Sequence, residues 1–518
     1  MRQALRSAVS STASIPAPIG GLNAVDALAD MPETDAIQMD NWVPGVSSCA
    51  VRPGHAPYVV GFAAEPESLM VYNSATTAAM FAAQGTSIYN VSTSGALGAA
   101  IVTGLGNARF QHANFGTPGG QFLLAVNGAD KMRIYNGTTF GYEGDGTYTA
   151  VTAFDTSLAK DIQVYGSRVW LIEKNSFRVW YLPLNSIGGA AASIDFSSLY
   201  ILGGSLTAMI TWQVASDFGV NTYAAFISSM GEVLLYTGYD PSNAATWSKV
   251  GQFRIGHPIG QRFYERQGND TVLITTDGLI PMSKAAITNR QSQSDAISYK
   301  ITQLINNEQA LYSGNFGWQV TLYPAGNRLF LNVPRDSTGN TVQYVMNTIT
   351  NKWCRYTGVG AKCWAVYNDA IYFAGKSGTD YGVFKAETGN DDNGAAITAT
   401  VQTAFSYFRA PGMNKMFTAV RPIVTANGTY SPAIGLALDF QTGTLSSSPT
   451  LSEVGSTAMW NTSPWNTTPW GAVYFTNRNW QWVGGVGFSA SMTMQSQTKG
   501  MNVTWASTDW LFERGGTL

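Results

Sequence analysis

At 518 residues the chain is long enough for about two to four domains, yet only 12% of it is Asp, Glu, Lys or Arg, and Gly is abundant at 54. A formal net charge of −2 supplies no basic footprint for nucleic acid, and 12% aromatic residues exclude a disordered chain. Cys49, Cys354 and Cys363 are too few for a disulfide framework and read as buried free thiols.

Residues 1–20 are rich in Ser, Ala and Pro and read as a mobile or docking arm. Arg2 and Arg6 are not followed by an apolar core before Pro16, so this segment is not expected to be a secretory signal, and no run reaches the roughly 18 apolar residues of a membrane span. From Gly20 to Gly54 the text changes: a short helical turn is expected near Thr34 to Met39, then a Pro-bounded loop at Trp42-Val43-Pro44.

A strand–turn–strand unit then recurs. Gln121 to Val126 turns at Asn127-Gly128 into Met132 to Tyr135, and Ser167 to Ile172 turns at Asn175 into Phe177 to Tyr181. The stretch from Ala325 to Thr388 shows the pattern most plainly: β-branched and aromatic runs alternate with turns at Asn327, Asn340, Asn347 to Lys352, Asn368-Asp369 and Gly375 to Thr379. These intervals are too short for crossover helices, so the pairing should be antiparallel. Strands centred on Met80, Leu123, Val169, Val233, Leu273, Leu329 and Ile371 recur roughly every 40 to 65 residues, the spacing of four-stranded propeller blades with insertions. An irregular set of β-sandwiches is the competing reading.

Ser294 to Tyr312 breaks the pattern, with Ile297, Ile301, Leu304 and Ile305 at helical spacing. Near Asn390-Asp391-Asp392-Asn393-Gly394 the blade series stops, and the tail is dense in tryptophan. The expected fold is therefore all-β: a β-propeller of six or seven blades over 63–390, with an inserted helix near 294–312. A β-rich platform is built from the N-terminal segment 1–62 and the C-terminal segment 391–518, because the short N-terminal block must borrow apolar surface from the tail.

Familiar chemistry is not apparent. His55, His112 and His257 have no metal-ligand spacing. Gly375-Lys376-Ser377 lacks the first glycine and following helix of a phosphate loop, and no Gly-x-Ser-x-Gly elbow occurs. Asp391 and Asp392 fall short of a calcium loop and read as a solvated interdomain turn. No cofactor and no catalysis are expected, although a pair of carboxylates suited to glycoside hydrolysis cannot be seen in a sequence.

Three stretches together resemble the tail nozzle (tail tubular protein B-type) proteins of short-tailed bacteriophages. They are Gly20-Gly21-Leu22-Asn23 through Asn41-Trp42-Val43-Pro44 to Val51-Arg52-Pro53-Gly54; the repeated hairpins with Ser167-Arg168-Val169-Trp170; and Val420-Arg421-Pro422 followed by the tryptophans and Ser507-Thr508-Asp509-Trp510. The resemblance implies a structural virion protein that forms a hexameric ring below a head–tail adaptor, with genomic DNA passing through without sequence-specific binding. Tail fibres or spikes would be further partners, and the protein would sit in the virion tail after assembly in the host bacterial cytoplasm. It also implies that Trp42, Arg52, Arg421, Trp460, Trp465, Trp470 and Trp510 carry interfaces. The alternative is a receptor-binding or glycan-degrading β-propeller protein of a phage tail.

Overall fold

The computed structural model describes residues 10–216, 219–288, 296–336, 340–441, 443–445, 447–453 and 474–515. The chain forms a six-bladed β-propeller and an additional β-rich unit built from N- and C-terminal strands. The propeller unit comprises Pro57–Val342 and Val359–Ala386; the other comprises Met1–Ala56, Gln343–Gly358 and Glu387–Leu518. The segment 343–358, read from the sequence as part of 63–390, thus clusters with the terminal strands.

Each blade is an antiparallel sheet that begins at the ring's inner edge. The inner strands of the first four are Ser68–Asn73, Gln111–Thr117, Ala159–Tyr165 and Leu206–Ser216. The fifth blade has three strands and starts at Tyr264–Gln267; the sixth starts at Gly360–Tyr367. The hairpin Gln319–Tyr323 and Arg328–Pro334 lies between those two and touches the inner strand of each. The sixth blade then meets the first, and Pro57 to Val60 lies beside Asp380–Ala386 as an outer strand. Strands from opposite ends of the unit therefore close the circle and cover an edge that would otherwise be open.

Turn chemistry sets the register of these sheets. Asn368 and Asp369 both have positive φ (48° and 58°), as a two-residue hairpin loop requires, and Tyr367 pairs with Ala370 across them. Because a strand alternates its faces, each blade presents apolar residues to both neighbours. Met70, Phe81, Phe110 and Leu123 fill the space between blades one and two. Trp170, Tyr181, Phe226 and Trp247 do the same between blades three and four.

In the other unit, Asp35–Asp40 pairs with Ile397–Thr403, which pairs with Ala490–Lys499. A second sheet carries Trp42–Pro44, Cys49–Val51, Val503–Arg514 and Lys415–Ala426. Ser10–Pro16 adds to Val503–Arg514, so this part of the N-terminal arm is docked. The helical turn expected near Thr34 to Met39 is instead the strand Asp35–Asp40, whose backbone is claimed by long-range partners. The helix expected from Ser294 begins at Thr302 and runs to Tyr312, after a 3-10 turn at Tyr299–Ile301. Ser298 explains the late start, since its hydroxyl accepts a bond from the Leu279 N–H (3.0 Å). A further helix, Met282–Thr288, carries no clear signal in the sequence.

Candidate functional site

Side chains from distant places in the ring meet across its axis. Arg262, just before the inner strand of the fifth blade, reaches the starts of the first two blades. Its terminal nitrogens donate to the Glu67 carbonyl (3.2 Å), Ser68 Oγ (2.7 Å) and the Phe110 carbonyl (3.1 Å). One layer along, Gln163 of the third blade donates through Nε2 to Tyr264 Oη of the fifth, at 2.9 Å.

Beside Arg262 lies a cleft of about 170 Å³, lined by Arg109, Gln261, Arg262, Asn315, Phe316 and Trp318 among others. The Phe316 ring packs against two guanidinium groups, with Arg109 Cζ at 4.4 Å and Arg262 Cζ at 5.4 Å from its centroid. Two glycines make this shape possible. Gly260 (φ 77°) passes so close to Trp318 that a Cβ would sit 2.7 Å from the Trp318 Cβ, and Gly317 (φ 124°) turns the chain between Phe316 and Trp318. Trp318 is fixed at the base by its Nε1 bond to the Tyr312 carbonyl, 2.9 Å.

The electrostatics follow from burial. Burial lowers the Arg262 pKa, with Arg109 adding to the effect and Cys363 and Glu67 opposing it. His112 is pushed down to about 4 by burial and the Arg262 charge, so it is neutral at physiological pH. Two carboxyls on inner strands move the other way: Asp161 and Glu265 are each pushed up to about 7, chiefly by burial. Asp161 Oδ2 accepts from the Met209 N–H at 3.3 Å. Among the described residues, no group of three or more His, Cys, Asp and Glu is placed to hold a metal ion, and no helix is long and apolar enough to cross a membrane.

The residues expected at interfaces fall elsewhere. Trp42 is fully buried and meets Trp505 edge-on at 5.7 Å; Trp510 packs on Phe408 at 5.2 Å. Arg52 is buried against Asp392, so Asp392 is an ion-pair partner rather than part of a solvated turn. Arg421 bridges to Asp509 at 2.6 Å and lies 4.6 Å over the Trp480 ring, while Trp482 is 75% exposed. Trp460, Trp465 and Trp470 lie outside the described residues. None of Arg109, Arg262, Phe316, Asp161 or Glu265 carries a motif. The available signal was position: once the first strand of each blade is assigned, acids on it and arginines just before it are candidates for the axis.

No family model matches this chain, and no curated protein matches it. Solved structures that match do so distantly. The extracellular domain of a hybrid two-component system from Bacteroides thetaiotaomicron is 10% identical with a TM-score of 0.40, over 92% of this chain and 63% of that one. A quinonprotein alcohol dehydrogenase-like protein from the same organism is 13% identical with a TM-score of 0.32, over 57% and 66%. An exo-β-1,3-galactanase from Phanerochaete chrysosporium, solved with galactose, is 10% identical with a TM-score of 0.28, over 89% and 100%.

These findings correct the expectation of a structural virion protein forming a phage tail nozzle: no family model and no curated protein matches this chain to support it. The physical reason lies in the residues that suggested it. Trp42, Arg52 and Trp510 satisfy packing and charge inside the chain's own fold, so their presence does not require an external partner.

Proposed function

We propose that the protein is a non-catalytic carbohydrate-binding propeller that takes a sugar unit in the cleft beside Arg262. The supporting observation is the Phe316 aromatic ring held by two guanidinium groups next to Asn315 and Gln261. An apolar ring edge beside planar hydrogen-bonding groups suits a pyranose, which offers C–H faces and hydroxyls together.

Titration of the whole chain with neutral and acidic oligosaccharides tests this reading. Binding that weakens at least about tenfold in Phe316→Ala supports it, that being the worth of a well-placed ring contact. Binding by no oligosaccharide, or binding indifferent to Phe316, would overturn it.

A further inference from the structure

We infer that the cleft at Arg109 and Arg262 selects an acidic sugar, binding its carboxylate or sulfate group; this rests on the carbohydrate reading above. Arg109 and Arg262 bring two positive charges, and the one carboxylate near both is Glu67, whose Oε1 lies 3.2 Å from Arg109 Nε. Lys362 and Glu65 cancel each other at 3.2 Å. His112, its pKa pushed down to about 4 with the Arg262 charge contributing, adds no charge at neutral pH. One positive charge is left without a counterion on the wall of a cleft.

Arg262 shows the deficit most directly. Its guanidinium is hydrogen-bonded to two backbone carbonyls and one hydroxyl, all neutral, and among the described residues no carboxylate comes within ion-pair distance of it. A half-buried cation paired only with dipoles is poorly compensated, and an entering anion would supply what is missing. Arg109 is suited to deliver the contact. Its side chain is 49% exposed, its Nε is engaged by Glu67, and its plane is held over Phe316, so its terminal nitrogens can meet a planar anion with little ordering cost. A neutral sugar could use the ring of Phe316 but would leave the charge unmet.

Calorimetric titration at constant ionic strength, using tetragalacturonic acid, the matching neutral galactose oligomer and sodium sulfate, decides the matter. The uronide should bind at least about tenfold more tightly than the neutral oligomer, as expected for a charge-assisted, two-pronged bond. Arg109→Gln should abolish that preference, and Arg109→Lys should restore only part of it because a point charge lacks the fork. Arg109 is half exposed, so both variants should keep the native melting profile. Equal binding of the two oligomers, or a preference that survives Arg109→Gln, overturns the acidic-sugar inference and leaves the carbohydrate reading standing. Sulfate binding lost in Arg109→Gln, with no oligosaccharide bound, overturns the sugar ligand in both.

Discussion

Arg52 and Asp392, 340 positions apart in the chain, meet in a forked ion pair: Nη1 lies 2.8 Å from Oδ1 and Nη2 lies 2.6 Å from Oδ2. His55 Nδ1 stands 3.1 Å from the same Oδ1. The pair ties the N-terminal segment to the start of the C-terminal one inside a single unit.

Removing one partner leaves the other charge buried and alone. Asp392→Asn should therefore destabilise this unit by about 3–5 kcal/mol at pH 7. Burial works against the Asp392 carboxylate, but the His55 hydrogen bond and the Arg52 charge outweigh it and hold its pKa below the ordinary value. The stabilisation is thus fully present above the unfolded pKa, near 3.8, and fades as pH falls through the lower folded value. Melting curves of the two proteins should be far apart at pH 7 and converge in strong acid; a constant gap would refute the linkage.

Asn41 supports Arg52 from behind. Its Oδ1 accepts from Arg52 Nε (2.8 Å) and the Thr357 N–H (2.9 Å), while its amide donates to the Thr398 carbonyl (2.8 Å). Its φ of 59° is left-handed, a region Asn adopts at less cost than Ala. Asn41→Gly and Asn41→Ala lose the same bonds, but only Ala adds backbone strain. Denaturant titration should show both destabilised, with Ala worse by about 1–2 kcal/mol. Equal losses would show that the backbone at this position relaxes without cost.

Asp161 and Glu265 should give the propeller an opposite pH dependence. Their folded pKa values, each about 7, lie above ordinary values of 3.8 and 4.5, so the folded state holds these protons more tightly than the unfolded chain. Each carboxyl then costs stability progressively as pH rises from about 4 to 7, and the cost is complete above 7. Asp161→Asn or Glu265→Gln should raise stability at pH 8 relative to pH 4 by something on the order of 2–4 kcal/mol. If the variants shift stability equally at both pH values, these carboxyls do not titrate as described.

The propeller was legible because its turns are written locally: Asn327, Asn368 and Asp369 occupy positive-φ positions between apolar runs, and antiparallel hairpins need little else. The union of the terminal strands was legible from a different argument, that the block around Trp42 could not support a core alone. Asp35–Asp40 was not legible, because its strand state is imposed by Ile397–Thr403 more than 350 residues away. The axis was hidden for the same reason. Arg262 meets Ser68 and Phe110 only after the ring has closed, and no local spacing marks an arginine that will cross it.

The free thiols can report separately on the two units. Cys363 lies in the apolar cluster between the sixth and first blades, and burial pushes its pKa up to about 11 against the pull of the Arg262 charge. Cys49 is also buried, and its pKa is raised by burial and by Cys354 nearby. Reaction needs the thiolate and access, so both should resist a disulfide reagent in the folded chain at pH 8. Their routes to exposure differ. Cys49 begins a three-residue strand, Cys49–Val51, set between the equally short Trp42–Pro44 and the end of Val503–Arg514 that it pairs with over two residues, and a strand held by so few bonds can open locally. Cys363 pairs with Ala374 inside a hairpin of two eight-residue strands, and reaching it requires separating the blades that close the ring. In a Cys354→Ala background, low urea should therefore expose Cys49 first, with Cys363 labelled only as the propeller unfolds. Mass spectrometry of the labelled peptides distinguishes the two sites. Simultaneous labelling across the urea series would mean that the short strands are held as firmly as the closed ring.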